Sequence, residues 1–97
     1  MTDTTKSIIE QLLAVPKGRV VCYRDIAVRA GIVNGARQVV RVLHSMTEKY
    51  HLPWYRVVRS DGFIALQGDG KDLQIELLRK EGVIVSDEGY IDMKKFS

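Results

Sequence analysis

A mostly α-helical domain with small β elements, arranged as a winged helix-turn-helix, is the fold class this 97-residue sequence predicts. Three observations carry it. Two short amphipathic helical patterns are joined by a tight turn containing Gly31, the second pattern is basic, and an Asp61-Gly62 turn signal between two apolar runs follows them.

The elements follow in order. Ser7 to Ala14 sets Ile8, Ile9, Leu12 and Leu13 on one helical face, and Val15-Pro16-Lys17-Gly18 ends that helix. Arg19 to Cys22 reads as a short extended piece. Tyr23, Ile26, Ala27 and Ala30 then recur at helical spacing until Gly31, and Asn34 is the expected N-cap of the next helix. That third helix aligns Ala36, Val39, Val40 and Leu43, with Arg37, Arg41 and His44 on its opposite face. Pro53 biases its surroundings to extended geometry, so Leu52-Pro53-Trp54 reads as a loop entering a strand. Tyr55–Arg59 and Phe63–Leu66 flank Ser60-Asp61-Gly62 as a hairpin, the wing. Lys71 to Glu81 is a further helix closed by Gly82, and Val83–Val85 with Tyr90–Met93 forms a second small hairpin about Glu88-Gly89.

Composition narrows the class. Apolar residues make up 45% and charged residues 28%, which is ordinary for a soluble globular chain and predicts one domain over residues 1–97. No apolar run reaches membrane-spanning length, and Met1 to Lys17 lacks the order of a signal peptide. A lone cysteine, Cys22, cannot make an internal disulfide, and no residues form a zinc cluster, so a cytoplasmic location without metal or organic cofactor is expected.

The net charge of +3 is unevenly spread. From Val15 to Ser60 nine bases, among them Arg24, Arg37, Arg41 and Arg59, face only Asp25 and Glu48. From Gly68 onward acidic residues outnumber basic ones. A basic stretch of this kind points to a polyanion, and duplex DNA fits the helix-turn-helix. A solvated surface laced with ion pairs is the plainer alternative.

Five segments taken together extend the reading. Val15-Pro16-Lys17-Gly18-Arg19-Val20, Tyr23-Arg24-Asp25-Ile26-Ala27, Gly35-Ala36-Arg37-Gln38-Val39, Leu52-Pro53-Trp54-Tyr55-Arg56-Val57-Val58 and Leu77-Leu78-Arg79-Lys80-Glu81-Gly82 resemble, in order and spacing, the DNA-binding domain of the O6-alkylguanine-DNA alkyltransferases. The likeness covers roughly residues 8 to 82. In that family a Pro-Cys-His-Arg-Val motif carries the alkyl-accepting cysteine and its activating histidine; here those positions hold Trp54 and Tyr55. An indole offers no nucleophile comparable to a thiolate, and tyrosine is a poor base at neutral pH. Met46 stands where the family keeps an asparagine, and Glu81, the counterpart of the acid that orients the histidine, is expected to have nothing to orient. The pattern is similar to the alkyltransferase-like proteins, single-domain relatives with tryptophan in place of cysteine.

The resemblance implies a non-enzymatic sensor that binds O6-alkylguanine in duplex DNA by nucleotide flipping and flags it for nucleotide-excision repair proteins. It implies that Arg37 is the finger entering the stack, that Tyr23, Gly35, Ala36, Arg41 and Ser60 contact the DNA backbone, and that Tyr23, Trp54, Tyr55, Ile64, Ala65 and Gln67 form the lesion pocket. Tyr55 departs from the usual histidine or glutamine after the tryptophan, and Gln67 from a tyrosine common in the alkyltransferases, which alters the expected pocket wall and edge. Arg56 is expected to be structural, holding the hairpin against the helices. A monomer is expected. The rival readings are a winged-helix transcription regulator without lesion specificity, an enzyme using Cys22 or acting on the flipped base, and a protein-interaction module without DNA binding.

Overall fold

Thr2 opens the first helix: its hydroxyl accepts the Thr5 N–H at 3.1 Å, and Asp3 sits in the first turn, where the helix dipole favours an acid. In the computed structural model, which describes residues 1–97, α1 therefore spans Asp3–Leu13, starting ahead of the apolar periodicity. β1 (Val21–Cys22), α2 (Tyr23–Arg29), α3 (Ala36–Tyr50), a 3-10 turn (Trp54–Arg56), β2 (Val57–Val58), α4 (Gly68–Lys80) and α5 (Met93–Phe96) follow.

β1 and β2 pair in parallel, Val21 opposite Val57 and Cys22 opposite Val58. Successive strand side chains point to opposite faces, and here each face meets its own core. Val21 and Val57 join Ile8, Ile9 and Leu12 of α1, Ile26 and Ala27 of α2, and Val39 and Val42 of α3. Val20 and Val58 join Ile64, Ile75, Leu78, Val83, Val85 and Ile91. The strand pair is thus the wall between a helical core and a core made by α4 and the C-terminal segment.

The mostly helical, winged-helix class holds, with corrections in its details. The wing is not a two-stranded hairpin. Val57 and Val58 are fully buried and pair with β1, leaving the Asp61-Gly62 signal only the closed turn in which Arg59 N–H donates to Phe63 O at 2.9 Å and Gly62 N–H to Arg59 O at 3.0 Å. Past the turn, Phe63 bridges antiparallel to Tyr90 instead, with Ile91 N–H donating to Gly62 O and Ile64 N–H to Gly89 O, each at 2.9 Å. Gly62 permits this crossing: its φ is +88°, and a Cβ there would lie 2.5 Å from Ile91 O. The second predicted hairpin reduces to a turn in which Ser86 N–H donates to Tyr90 O. Asn34 is not the N-cap of α3. It takes a left-handed φ of 54°, and Gly35 occupies the cap. Trp54 stands in a 3-10 turn, with Arg56 N–H donating to Pro53 O at 3.0 Å, before the strand begins. α4 begins at Gly68 rather than Lys71, and α5 was not foreseen.

Candidate nucleic-acid interface

The α2–turn–α3 unit and the turn after β2 enclose an open cleft of about 1010 Å³. Its wall carries Tyr23 and Arg24 from α2, Asn34 and Gly35 from the connection, Ala36 and Arg37 from the start of α3, and Arg59 and Ser60 from the far side. Three guanidiniums border it, and no carboxylate lines it. Gly35 is packed so closely on Ile32 and Ala27 that a Cβ would collide with the Ile32 side chain, which draws the N-terminus of α3 tightly onto α2. The sequence-derived residues Tyr23, Gly35, Ala36, Arg37 and Ser60 thus meet in one cleft. Arg41 lies further along α3, exposed and outside that lining.

A second cavity of about 320 Å³ lies behind Tyr23, which borders both spaces. Trp54 walls it on one side; Val40, Leu43, His44 and Thr47 form a stripe of α3 on another; Leu66 and Gln74 complete it. Tyr23 is half-buried, and that burial raises its phenol pKa, so it stays a neutral hydroxyl.

Trp54 is held from behind. The Tyr55 ring meets it edge-on, centroids 5.8 Å apart and planes at 90°, and the Tyr55 hydroxyl donates to Glu81 Oε2 at 2.9 Å. Arg56 clasps the same carboxylate, Nε to Oε1 at 3.0 Å and Nη2 to Oε2 at 2.6 Å, while its Nη1 donates to Val15 O at 3.0 Å. Gly18 N–H adds a fourth bond to Oε1 at 2.9 Å. The charge-assisted bonds from Arg56, with Gly18 and Tyr55 helping, hold the Glu81 carboxyl at about 2, well below its ordinary 4.5. The Tyr55 phenol is raised, by burial first and by the neighbouring carboxylate. Glu81 therefore does have a side chain to orient, contrary to expectation. Arg56 is structural as expected, though it ties the Trp54 turn to α4 and to the end of α1 rather than holding a hairpin.

Several predicted pocket residues lie elsewhere. Ile64 is buried in the α4-side core and does not wall the cavity, because its backbone is drawn toward Gly89. Tyr55 stands behind Trp54, its hydroxyl turned to Glu81. Ala65 and Gln67 are exposed on the loop, and the intervening Leu66 is the one that reaches the cavity. Sequence reasoning missed Val40, Leu43, His44, Thr47, Leu66 and Gln74 as cavity residues. Gln74 carried a usable signal: it is a polar residue between Ile75 and the apolar positions of α4, where only a bonded amide is tolerated. Cys22 is buried at the start of α2, and desolvation raises its pKa, the reverse of what an attacking thiolate needs.

A cationic cleft at a helix-turn-helix, opening beside a half-apolar cavity walled by tryptophan, defines a winged-helix-type DNA-binding domain. The family description "6-O-methylguanine DNA methyltransferase, DNA binding domain" matches residues 3–83, and the chain belongs to that family. It is 43% identical over 83 residues to the DNA base-flipping protein of Escherichia coli (strain K12), covering 86% of this chain; the chain spans 64% of the length of that relative. It is 31% identical over 85 residues to alkyltransferase-like protein 1 of Schizosaccharomyces pombe, covering 86% of this chain and 79% of that protein. The fold is similar to the crystal structure of S. pombe Atl1 in complex with damaged DNA containing O6-carboxymethylguanine, with a TM-score of 0.83, 26% identity, and coverage of 99% of this chain and 94% of that one.

Proposed function

We propose that this protein is a non-enzymatic sensor of O6-alkylguanine in duplex DNA, which turns the damaged nucleotide out of the stack and marks it for nucleotide-excision repair proteins. The observation that carries the reading is the pairing of the two spaces through Tyr23: the same side chain borders a basic, open cleft and a cavity walled by Trp54. Relatives named for base flipping, and a solved relative bound to DNA containing O6-carboxymethylguanine, support it.

In this reading phosphates lie along the cleft. Arg37, exposed in the first turn of α3, enters the gap left by the base, and Tyr23 stands where the backbone turns. The extruded base enters the second cavity against the Trp54 ring. Extrusion costs a few kcal/mol, and base–aromatic contact worth about 1–3 kcal/mol offsets it in part. The residue at the acceptor position is an indole, and the one thiol is buried and kept protonated, so the alkyl group stays on the base. The protein acts as a monomer, and the downstream repair machinery takes over the marked site.

The test is a titration at fixed salt with two duplexes identical except for one O6-methylguanine, read by Trp54 fluorescence, with intact mass measured on the same samples. Tighter binding to the lesion with unchanged mass is expected. Equal binding to both duplexes would instead favour a winged-helix regulator, and a mass gain equal to the alkyl group would make the protein a transferase.

A further inference from the structure

The segment after Val83 lies beyond the residues matched by the family description, and it carries cations that the cleft does not use. Arg19 Nη1 donates to Lys95 O at 3.3 Å, tying together residues 76 apart in the chain, and Val20 N–H donates to Phe96 O at 2.9 Å beside it. These bonds bring the exposed Arg19 guanidinium to α5, whose Lys94 and Lys95 are exposed as well. None of the three is in an ion pair. The nearby carboxylates are engaged elsewhere. Asp92 Oδ1 accepts the Lys94 N–H at 3.0 Å as the cap of α5, and Glu81, which accepts the Gly18 N–H next to Arg19, is clasped by Arg56. Gathering like charges costs free energy that a polyanion returns, so the arrangement favours an anionic partner.

The place of these cations in the fold says which anion they meet. Ile91 N–H donates to Gly62 O, and a Cβ on Gly62 would lie 3.4 Å from Met93 Cγ, so α5 begins against the Asp61-Gly62 turn. That turn follows directly on Arg59 and Ser60, the far wall of the cleft. Arg19, Lys94 and Lys95 therefore stand beyond that wall and outside the cleft lining. We propose that the three form a second phosphate-contact surface, which engages an arm of the duplex after it leaves the cleft past Ser60. Lysines on flexible stems act as point charges, and a duplex presents one negative charge per about 1.7 Å of its axis, so the contact needs no fixed register and reads no sequence. The surface adds affinity for any duplex long enough to reach it and does not bear on the lesion. The proposal rests on the duplex binding of the sensor reading above and adds to it a contact remote from the damaged base.

The double variant Lys94→Gln, Lys95→Gln tests it, since both side chains are exposed and their loss leaves the cores intact. Wild type and variant are titrated across a salt series with two sets of duplexes, each carrying O6-methylguanine or guanine at one position. One set is long, with that position at its centre, and the other ends where the cleft ends. On the long duplexes, wild-type affinity is expected to fall roughly tenfold more than the variant's between about 50 and about 200 mM salt, the counterion release of two phosphates. On the short duplexes the two proteins are expected to fall in parallel, and the ratio of damaged to undamaged binding to be the same for both. Lys94→Arg with Lys95→Arg keeps the charges and should follow wild type. Parallel salt dependence on the long duplexes overturns the proposal and leaves the sensor reading standing. A variant deficit as large on the short duplexes puts the lysines at the cleft itself and also overturns it. Equal wild-type binding to damaged and undamaged duplexes removes the sensor reading, while the comparison of long with short still decides the surface.

Discussion

The two spaces that meet at Tyr23 are built in opposite ways. The large cleft comes mostly from one continuous stretch, Tyr23 to Arg37, and its cations are exposed, Arg24 and Arg37 without an ion-pair partner and Arg59 paired with Asp61. The Trp54 cavity draws on five separated places in the chain and is fixed by side-chain hydrogen bonds: to backbone from Gln74 (Tyr55 O and Val57 O) and Arg56 (Val15 O), and to the Glu81 carboxylate from Tyr55 and Arg56. The contrast teaches that affinity for a polyanion needs only charge on a helix, whereas a pocket that takes one base needs its walls held still. Exposed arginines serve the first purpose. A largely buried carboxylate with four bonds serves the second.

The sharpest way to break this division is at the anchor. Arg56→Ala leaves Glu81 largely buried and without its cation, and is expected to lower stability by about 3–5 kcal/mol in chemical denaturation. The exposed pair of Arg59 and Asp61, at 2.7 Å, is the control, and Arg59→Ala is expected to cost less than about 1 kcal/mol. The anchor also sets an acid limit. Glu81 titrates lower folded, at about 2, than unfolded, near 4.5, so its contribution is complete above the unfolded value and is lost as pH falls through the folded one. Melting temperatures followed from about pH 6 to about pH 2 should fall across that window, and Glu81→Gln should flatten the part of the fall that Glu81 causes.

Next in size is the cavity wall. Trp54→Ala is expected to reduce lesion preference roughly ten- to hundredfold, the range of one lost base–aromatic contact, with binding to undamaged duplex little changed. An unchanged preference would place the base elsewhere. The cleft sharpens the comparison from the other side. Arg41→Ala should weaken damaged and undamaged duplexes alike and reduce the salt dependence by about one phosphate contact. Arg37→Ala should weaken the lesion complex more than the undamaged one. Equal losses for Arg37 and Arg41 would make Arg37 an ordinary phosphate contact.

Much of the helical half was legible in order. Ile8, Leu12, Ile26 and Val39 recur at helical spacing and are fully or almost fully buried, because a helix places i and i+4 on one face whatever lies around it. The residues of the cleft were legible for the same reason, since neighbours in the chain stay neighbours in space. The cavity was less so. Val40 and Leu43 were assigned to the core face and His44 to the basic face, yet all three share one wall, because where α3 meets the Trp54 turn decides which stripe faces which space. Asp61-Gly62 encoded its turn correctly, but the strands beside it were claimed by partners far along the chain.

By itself, then, the sequence determined the four longer helices, the charge of the cleft, the Asp61-Gly62 turn and the tryptophan at the motif's acceptor position, all of which depend on local conformation or on residue identity. Tertiary structure alone decided that Val57 pairs with Val21, that Phe63 bridges to Tyr90, that Ile64 enters a core and Leu66 a cavity, and that the buried Gln74 amide bonds to Tyr55 O and Val57 O. Strand pairing and pocket walls are formed by residues distant in the chain, and competition among the partners available in the folded molecule selects them.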